Sequence, residues 1–423
     1  MRRVPVLVVA VLVAVVFVGA ARKFVLRLCP ALRTASAPPE PPGFDRPVPV
    51  RRTGLGAGTP PLGVAGNRGA RTLHGDARRA GRAAGSAPRS LPSTAWSRDV
   101  GGPVEAQITT SPDEATLYVV TLGGSLTALA ADDGAVRFSL GVGDRGYGAP
   151  CVANDGTLFV GSDAKRFFSV SPDGRVKWSL DTDGDADTAA AIAPDGSIVF
   201  AAGRMLYDVT REGQVKWRFA AKRKIFTAPA VDSSGKVFFG SQDHQAYALS
   251  SDGRLVWTTD LASDVDGAPA IADDGSVFMG TDGGEVVRLN PDDGAVAWRA
   301  AVGGYVRGTL SIARNSDVLA GVYGPTPRTV RLRAGDGVLL GDLSIQGTGA
   351  RDFGVHGGPL EDDNGTLLFG TQDDNVYAID ASGGLLWRFT TGVDVDAPIT
   401  LLSDGTVVVG SDDGWVRALR ASR

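Results

Sequence analysis

The sequence predicts an all-β fold: an eight-bladed β-propeller of four-stranded antiparallel blades, closed by an N-terminal strand. Three observations carry this. An aromatic-marked segment recurs at a spacing of about 40 residues, the signature of stacked supersecondary units. Helical periodicity is absent, and Asp-Gly or Asn-Gly pairs punctuate the chain at hairpin spacing. Such pairs supply the positive φ that tight hairpin turns demand.

The recurring point is marked by Phe138, Trp178, Trp217, Trp257, Trp298 and Trp387, with Leu340 filling the position between the last two. One unit shows the plan. Ala268–Ala272, Ser276–Gly280, Glu285–Leu289 and Ala295–Ala300 are four short strands, parted by turns at Asp274-Gly275, Gly283-Gly284 and Asp293-Gly294. The eighth unit has strands around Ala397, Val407 and Val416 and lacks a fourth. Thr94-Ala95-Trp96-Ser97 carries the missing Trp, so this N-terminal strand is expected to complete the last blade and leave no free edge around the ring. The aromatics Trp96, Phe138, Trp178, Trp217, Trp257, Trp298 and Trp387 are expected to pack between blades.

Ahead of the ring, which is taken as residues 91–423, lie two other segments. Residues 1–21 hold Arg2 and Arg3 and then an apolar run to Ala21, which fits a cleaved signal peptide and a signal anchor equally. Either way the bulk of the chain is expected to be exported, to the periplasm or cell envelope. Residues 22–90 are rich in Pro, Ala, Gly and Arg and read as a flexible basic linker. The first 100 residues hold 16 basic and 4 acidic side chains; the remainder holds 27 and 43. A ring this acidic is not expected to bind nucleic acid. The two cysteines, Cys29 and Cys151, exclude a disulfide scaffold and a Cys-rich zinc module.

Ala378-Ile379-Asp380-Ala381-Ser382-Gly383-Gly384-Leu385-Leu386-Trp387 matches, with one residue deleted, the Ala-x-Asp-x-x-x-Gly-x-x-x-Trp hairpin of the PQQ-like repeat propellers. Arg288 to Trp298 keeps Gly294 and Trp298 of the same motif. The chain thus resembles the superfamily of quinoprotein alcohol dehydrogenases and BamB-type outer-membrane assembly proteins, over residues 91–423. Leu73-His74-Gly75-Asp76 with Gly81 also resembles the Gly-Asp segment that precedes many such propellers. Kelch and WD40 signatures do not recur. The resemblance implies a quinone cofactor only in its enzymes, where the cofactor lies beside a vicinal Cys pair. Both cysteines here are isolated, so PQQ is not expected. No serine-hydrolase, phosphate-loop or histidine metal signature is present.

The loops joining one blade's fourth strand to the next blade's first open on one face of the channel. Three carry paired acids: Asp185 with Asp187, Asp264 with Asp266, and Asp394 with Asp396. Others carry Arg145, the Lys222-Arg223-Lys224 run, Tyr305 with Arg307, and Arg351 with Asp352 and His356 in a longer Gly341–Gly358 loop. Any one of these residues reads as a polar turn that solvates the rim; together they read as a recognition surface. The alternating acids Asp181, Asp183, Asp185 and Asp187 have some character of a calcium loop, but their Gly is misplaced for one. The expectation is a monomeric, non-catalytic binding module, tethered to the envelope through its N-terminal segment, that binds a protein or polysaccharide partner at the channel mouth. The alternative is a quinoprotein-like or carbohydrate-active propeller enzyme.

Overall fold

The computed structural model describes residues 70–350 and 353–422, all within one compact unit spanning Pro47–Arg423. Residues 1–21, on which the export segment was placed, lie outside the described residues, as do Cys29, Arg351 and Asp352. Among the described residues no helix is long and apolar enough to cross a membrane.

The described chain forms eight four-stranded antiparallel sheets. The first complete blade holds β2 (Thr109–Thr110), β3 (Thr116–Val120), β4 (Ser125–Ala130) and β5 (Val136–Gly141), paired in chain order. The innermost strand is only two residues long, the two middle strands are almost wholly buried, and the outer strand alternates. The same plan repeats through the seventh blade. The eighth holds β30 (Thr400–Leu401), β31 (Val407–Gly410) and β32 (Trp415–Arg420), and β1 (Ser93–Asp99) supplies its outer strand. β1 pairs antiparallel with β32, Trp96 opposite Ala418. The closing seam between the eighth and first blades is packed like the others, with Val104, Ile108 and Leu117 against Val408 and Val416, and Trp96 alongside. Closure through the N-terminal strand is therefore as the sequence predicts.

One interaction recurs between neighbours. Each blade tryptophan donates its Nε1 proton to a carbonyl of the next unit: Trp96 to Ala131, Trp178 to Arg211, Trp217 to Ser251, Trp257 to Pro291, Trp298 to Ala334 and Trp387 to Pro88, at 2.6–3.1 Å. Five of these indoles, all but Trp387, lie against a turn glycine of that neighbour. At Gly294, for example, φ is +70° and an added Cβ would sit 2.6 Å from the Trp257 ring, so both conformation and space require glycine. The sixth blade departs from the sequence reading. In the fifth, Arg288 stands opposite Trp298; in the sixth, the equivalent Arg331 stands opposite Gly341, not Leu340. The aromatic position of that blade is thus a glycine, and Leu340 is 44% exposed. The bulge beside Arg331 is the same as that beside Arg288, and because the spacing between blades varies, this register rather than spacing identifies Gly341.

A second correction concerns the linker. Its last part, residues 70–90, is seated in the ring rather than free. The carbonyls of Ala70, Arg71, Ala77, Arg78, Ala80 and Gly81 accept backbone N–H bonds from the inner strands of the first, second, fourth, fifth, sixth and seventh blades, and the Thr72 hydroxyl donates to the Ala190 carbonyl of the third. Arg79 is fully buried, and its guanidinium donates to the carbonyls of Leu73, Ala189, Ala190 and Pro229 at 3.0–3.2 Å. Burial lowers its pKa to about 10. This segment lacks large apolar residues because small ones fit a narrow channel, and backbone bonds do the holding. Low hydrophobicity therefore reads falsely as disorder. The segment closes one end of the channel, and Leu73 lies on a ring of Ala149, Ala189, Ala228 and Ala268.

Candidate functional site at the channel mouth

Above that floor the other end of the channel opens into a cavity of about 580 Å³. Its inner wall is a ring with one residue from each blade: Glu105, Tyr147, Asp187, Phe226, Asp266, Arg307, His356 and Asp396. Each stands four residues ahead of the first residue of its blade's inner strand, so the repeat itself delivers all eight to one level. The sequence reading found most of them. It missed Glu105 because the first blade has Gln107-Ile108 where the second, fourth and fifth have Ala-Pro, and Phe226 because an uncharged side chain does not stand out among the charged mouth residues.

Of the expected mouth residues, Arg145, Asp185, Asp187, Lys224, Asp266, Arg307, His356 and Asp396 line this cavity. Lys222 and Arg223 are exposed and do not line it. Asp264 turns to His244, 3.2 Å away, and Tyr305 lies beneath the Arg307 guanidinium at 4.7 Å. Asp394 is not among the lining residues. The longer loop is only partly a surface feature. Phe353 and Val355 are buried, Gly324 donates to the Phe353 carbonyl, and Gln372 donates to the Gly354 carbonyl.

The cavity wall holds six carboxyl groups, of Glu105, Asp163, Asp185, Asp187, Asp266 and Asp396, against three cations. Each cation is already engaged. Arg145 meets Asp163 at 3.0 Å, Lys224 meets Asp187 at 3.0 Å and Asp185 at 3.6 Å, and Arg307 makes a two-pronged contact with Asp282. His356 is not a fourth, because burial and then Arg307 push its pKa down to about 4. The acids repel one another in consequence. Burial, then Asp396 and Asp412, push the Glu105 carboxyl up to about 8. Burial and Asp187 raise Asp163 to about 6, and burial and Asp282 raise Asp266 to about 6.

Two groups of carboxylates approach closely enough to share a cation: Glu105 with Asp396 and Asp412, and Asp163 with Asp185 and Asp187. In the second, the Arg145 and Lys224 side chains already serve as counter-ions. The alternating acids of 181–187 do not converge. Asp181 pairs with Arg166, Asp183 takes the Tyr207 hydroxyl and Arg218, and only Asp185 and Asp187 turn inward.

A pH dependence follows. The Glu105 carboxyl binds its proton more tightly folded than unfolded, so its contribution is fully present below about pH 4.5 and is lost as pH rises through about 8. Glu105→Gln is expected to leave the melting midpoint unchanged at pH 4 and to raise it above pH 8. Melting curves of both proteins across this range check it; a parallel pair of profiles would contradict the raised pKa of Glu105.

A closed ring of four-stranded blades, stapled by tryptophans to the next blade's turn and open at one charged mouth, is a PQQ-like repeat β-propeller. The family model described as outer membrane protein assembly factor BamB matches residues 92–208, 202–347 and 329–423, and the chain belongs to that family. Solved structures of this shape include BamB from Moraxella catarrhalis, at 17% identity and a TM-score of 0.65, covering 79% of this chain and 99% of that one. A europium-containing methanol dehydrogenase is similar at 10% identity and a TM-score of 0.69, covering 82% of this chain and 90% of that one. The quinohemoprotein alcohol dehydrogenase from Comamonas testosteroni matches at 12% and 0.69, covering 85% and 82%. These likenesses concern the fold. Among curated proteins none matches the chain.

The residues present do not fit a quinone of the enzyme type. Cys151, the one cysteine among the described residues, is buried in the second blade, where burial pushes its thiol up to about 11. Among the described residues no second cysteine stands beside it, and no tryptophan lines the mouth to stack on a flat cofactor.

Proposed function

We propose that this propeller is a non-catalytic scaffold of the cell envelope whose mouth receives a cationic segment of a protein partner. The observation that carries the reading is the mouth ring: six carboxyl groups surround three cations that are already engaged, above a floor made by the chain itself. A lysine or arginine side chain entering there would favour the ionised form of Glu105, which burial and then the neighbouring Asp396 and Asp412 disfavour. Tyr147 and Phe226 add ring faces on which an ammonium or guanidinium rests favourably, as Lys224 already does 4.2 Å from the Phe226 centroid. Membership of the BamB family supports a role in assembly rather than turnover, and an exported location.

Labelled tetralysine and tetraglutamate, titrated against the full-length protein, test the reading. Tetralysine is expected to bind, more weakly as salt rises. The double variant Glu105→Gln, Asp396→Asn is expected to lose about tenfold in affinity, the scale of one close charge contact. Equal binding of the two peptides, or tetralysine binding unchanged in the variant, would overturn it.

A further inference from the structure

We infer that the cleft between the sixth and seventh blades is a binding site for a tryptophan side chain of a partner protein. The molecule itself supplies the pattern. Five of its indoles lie against a turn glycine of the next blade, Gly134, Gly213, Gly253, Gly294 and Gly337, and each donates to a carbonyl of the same turn. At two of these turns the carbonyl also takes a cation from the blade that bears the indole. Pro291 accepts from Trp257 Nε1 and Lys236 Nζ, and Ala334 accepts from Trp298 Nε1 and Arg288 Nη1.

At the sixth blade the cation is kept and the indole is missing. Arg331 Nη1 donates to the Ala381 carbonyl at 2.8 Å, and its Nε to Asp317 at 2.7 Å. A carbonyl oxygen has two acceptor sites, as Pro291 and Ala334 show, so Ala381 retains a place for an indole N–H. The aromatic's own position is Gly341. A Cβ added there, or on the turn glycine Gly383 across the gap, would meet nothing within 4 Å. The gap measures about 430 Å³, and Leu319, Val330, Leu343, Leu367 and Ile379 contribute apolar wall. Leu340, which also lines the gap, is 44% exposed.

The occupant comes from another molecule. The chain has seven tryptophans; six fill their own slots, and residues 1–69 contain none. The seventh, Trp415, lies on β32 and is 38% exposed. An indole suits the cleft better than an aliphatic chain because it satisfies apolar walls and the spare acceptor at once.

N-acetyl-L-tryptophanamide, titrated into isotope-labelled full-length protein, tests this. The amide signals of Gly341, Ala381 and Gly383 are expected to shift saturably, with a dissociation constant on the order of millimolar for one side chain. N-acetyl-L-leucinamide should shift them at least about fivefold less, the indole hydrogen bond and ring making the difference. Gly341→Trp, which offers the indole from within, should abolish the response and raise the melting midpoint by a few degrees. Absence of a saturable shift in the wild-type protein would overturn the site whether or not that variant folds. A probe response that persists in a folded Gly341→Trp would place binding elsewhere and overturn it too. Concentration-dependent self-association that Trp415→Ala removes would replace the partner by a second copy.

Discussion

A chain beginning at Gly101 is expected to melt about 10 °C below one beginning at Leu91, because only the second keeps β1. Six register pairs join β1 to β32, and Trp96 bonds to Ala131 in the first blade. Ladder bonds worth about 1 kcal/mol each and an indole worth about 2–3 kcal/mol amount to roughly 8 kcal/mol. A ring of this size has an unfolding entropy of about 0.7 kcal/mol per degree, which converts that loss to about 10 °C. The shorter chain also bares the edge of β32, so it should aggregate as it is concentrated. Scanning calorimetry and light scattering on the two chains check both effects, and equal midpoints would show that the eighth blade does not need its fourth strand.

Arg79→Ala is expected to lower the midpoint of the full-length protein by about 5 °C. Four carbonyls, of Leu73, Ala189, Ala190 and Pro229, converge on that guanidinium in the closed end of the channel. Each buried acceptor left without a donor costs about 1–3 kcal/mol, and water entering the vacated space recovers part, so the net loss is about 3–5 kcal/mol. Arg79→Lys should recover less than half, since one ammonium cannot span Leu73 and Pro229 as a planar fork does. Amide exchange in residues 70–83 should quicken in Arg79→Ala before the blades themselves open. Unchanged melting with unchanged exchange would show that the plug is held by its backbone bonds alone.

The ring was legible in the sequence because its determinants are local and repeated. Asp-Gly turns fix hairpins, the period counts blades, and Trp96 on an unpaired strand reveals the closure. The plug was not legible, because its stability comes from backbone bonds to six different blades and from Arg79, neither of which leaves an apolar pattern. The mouth was half legible. Asp187, Asp266 and Asp396 stand out as paired acids, whereas Glu105 stands alone in the sequence and becomes notable only beside Asp396 and Asp412. Gly341 illustrates the same limit in reverse. Spacing placed Leu340 at the aromatic position, and only the register across the bulge shows that the slot holds no side chain.

The central claim is that the mouth accepts positive charge by displacing the proton that burial and the neighbouring acids keep on Glu105. Isothermal calorimetry of tetralysine binding at pH 7, in two buffers of different ionisation enthalpy, measures that proton directly. With the Glu105 pKa at about 8, most molecules hold the proton before binding, so up to one proton should be released per peptide bound. Glu105→Gln should abolish the release while leaving weaker binding in place. Binding with the same heat in both buffers, or proton release that survives Glu105→Gln, would contradict the account.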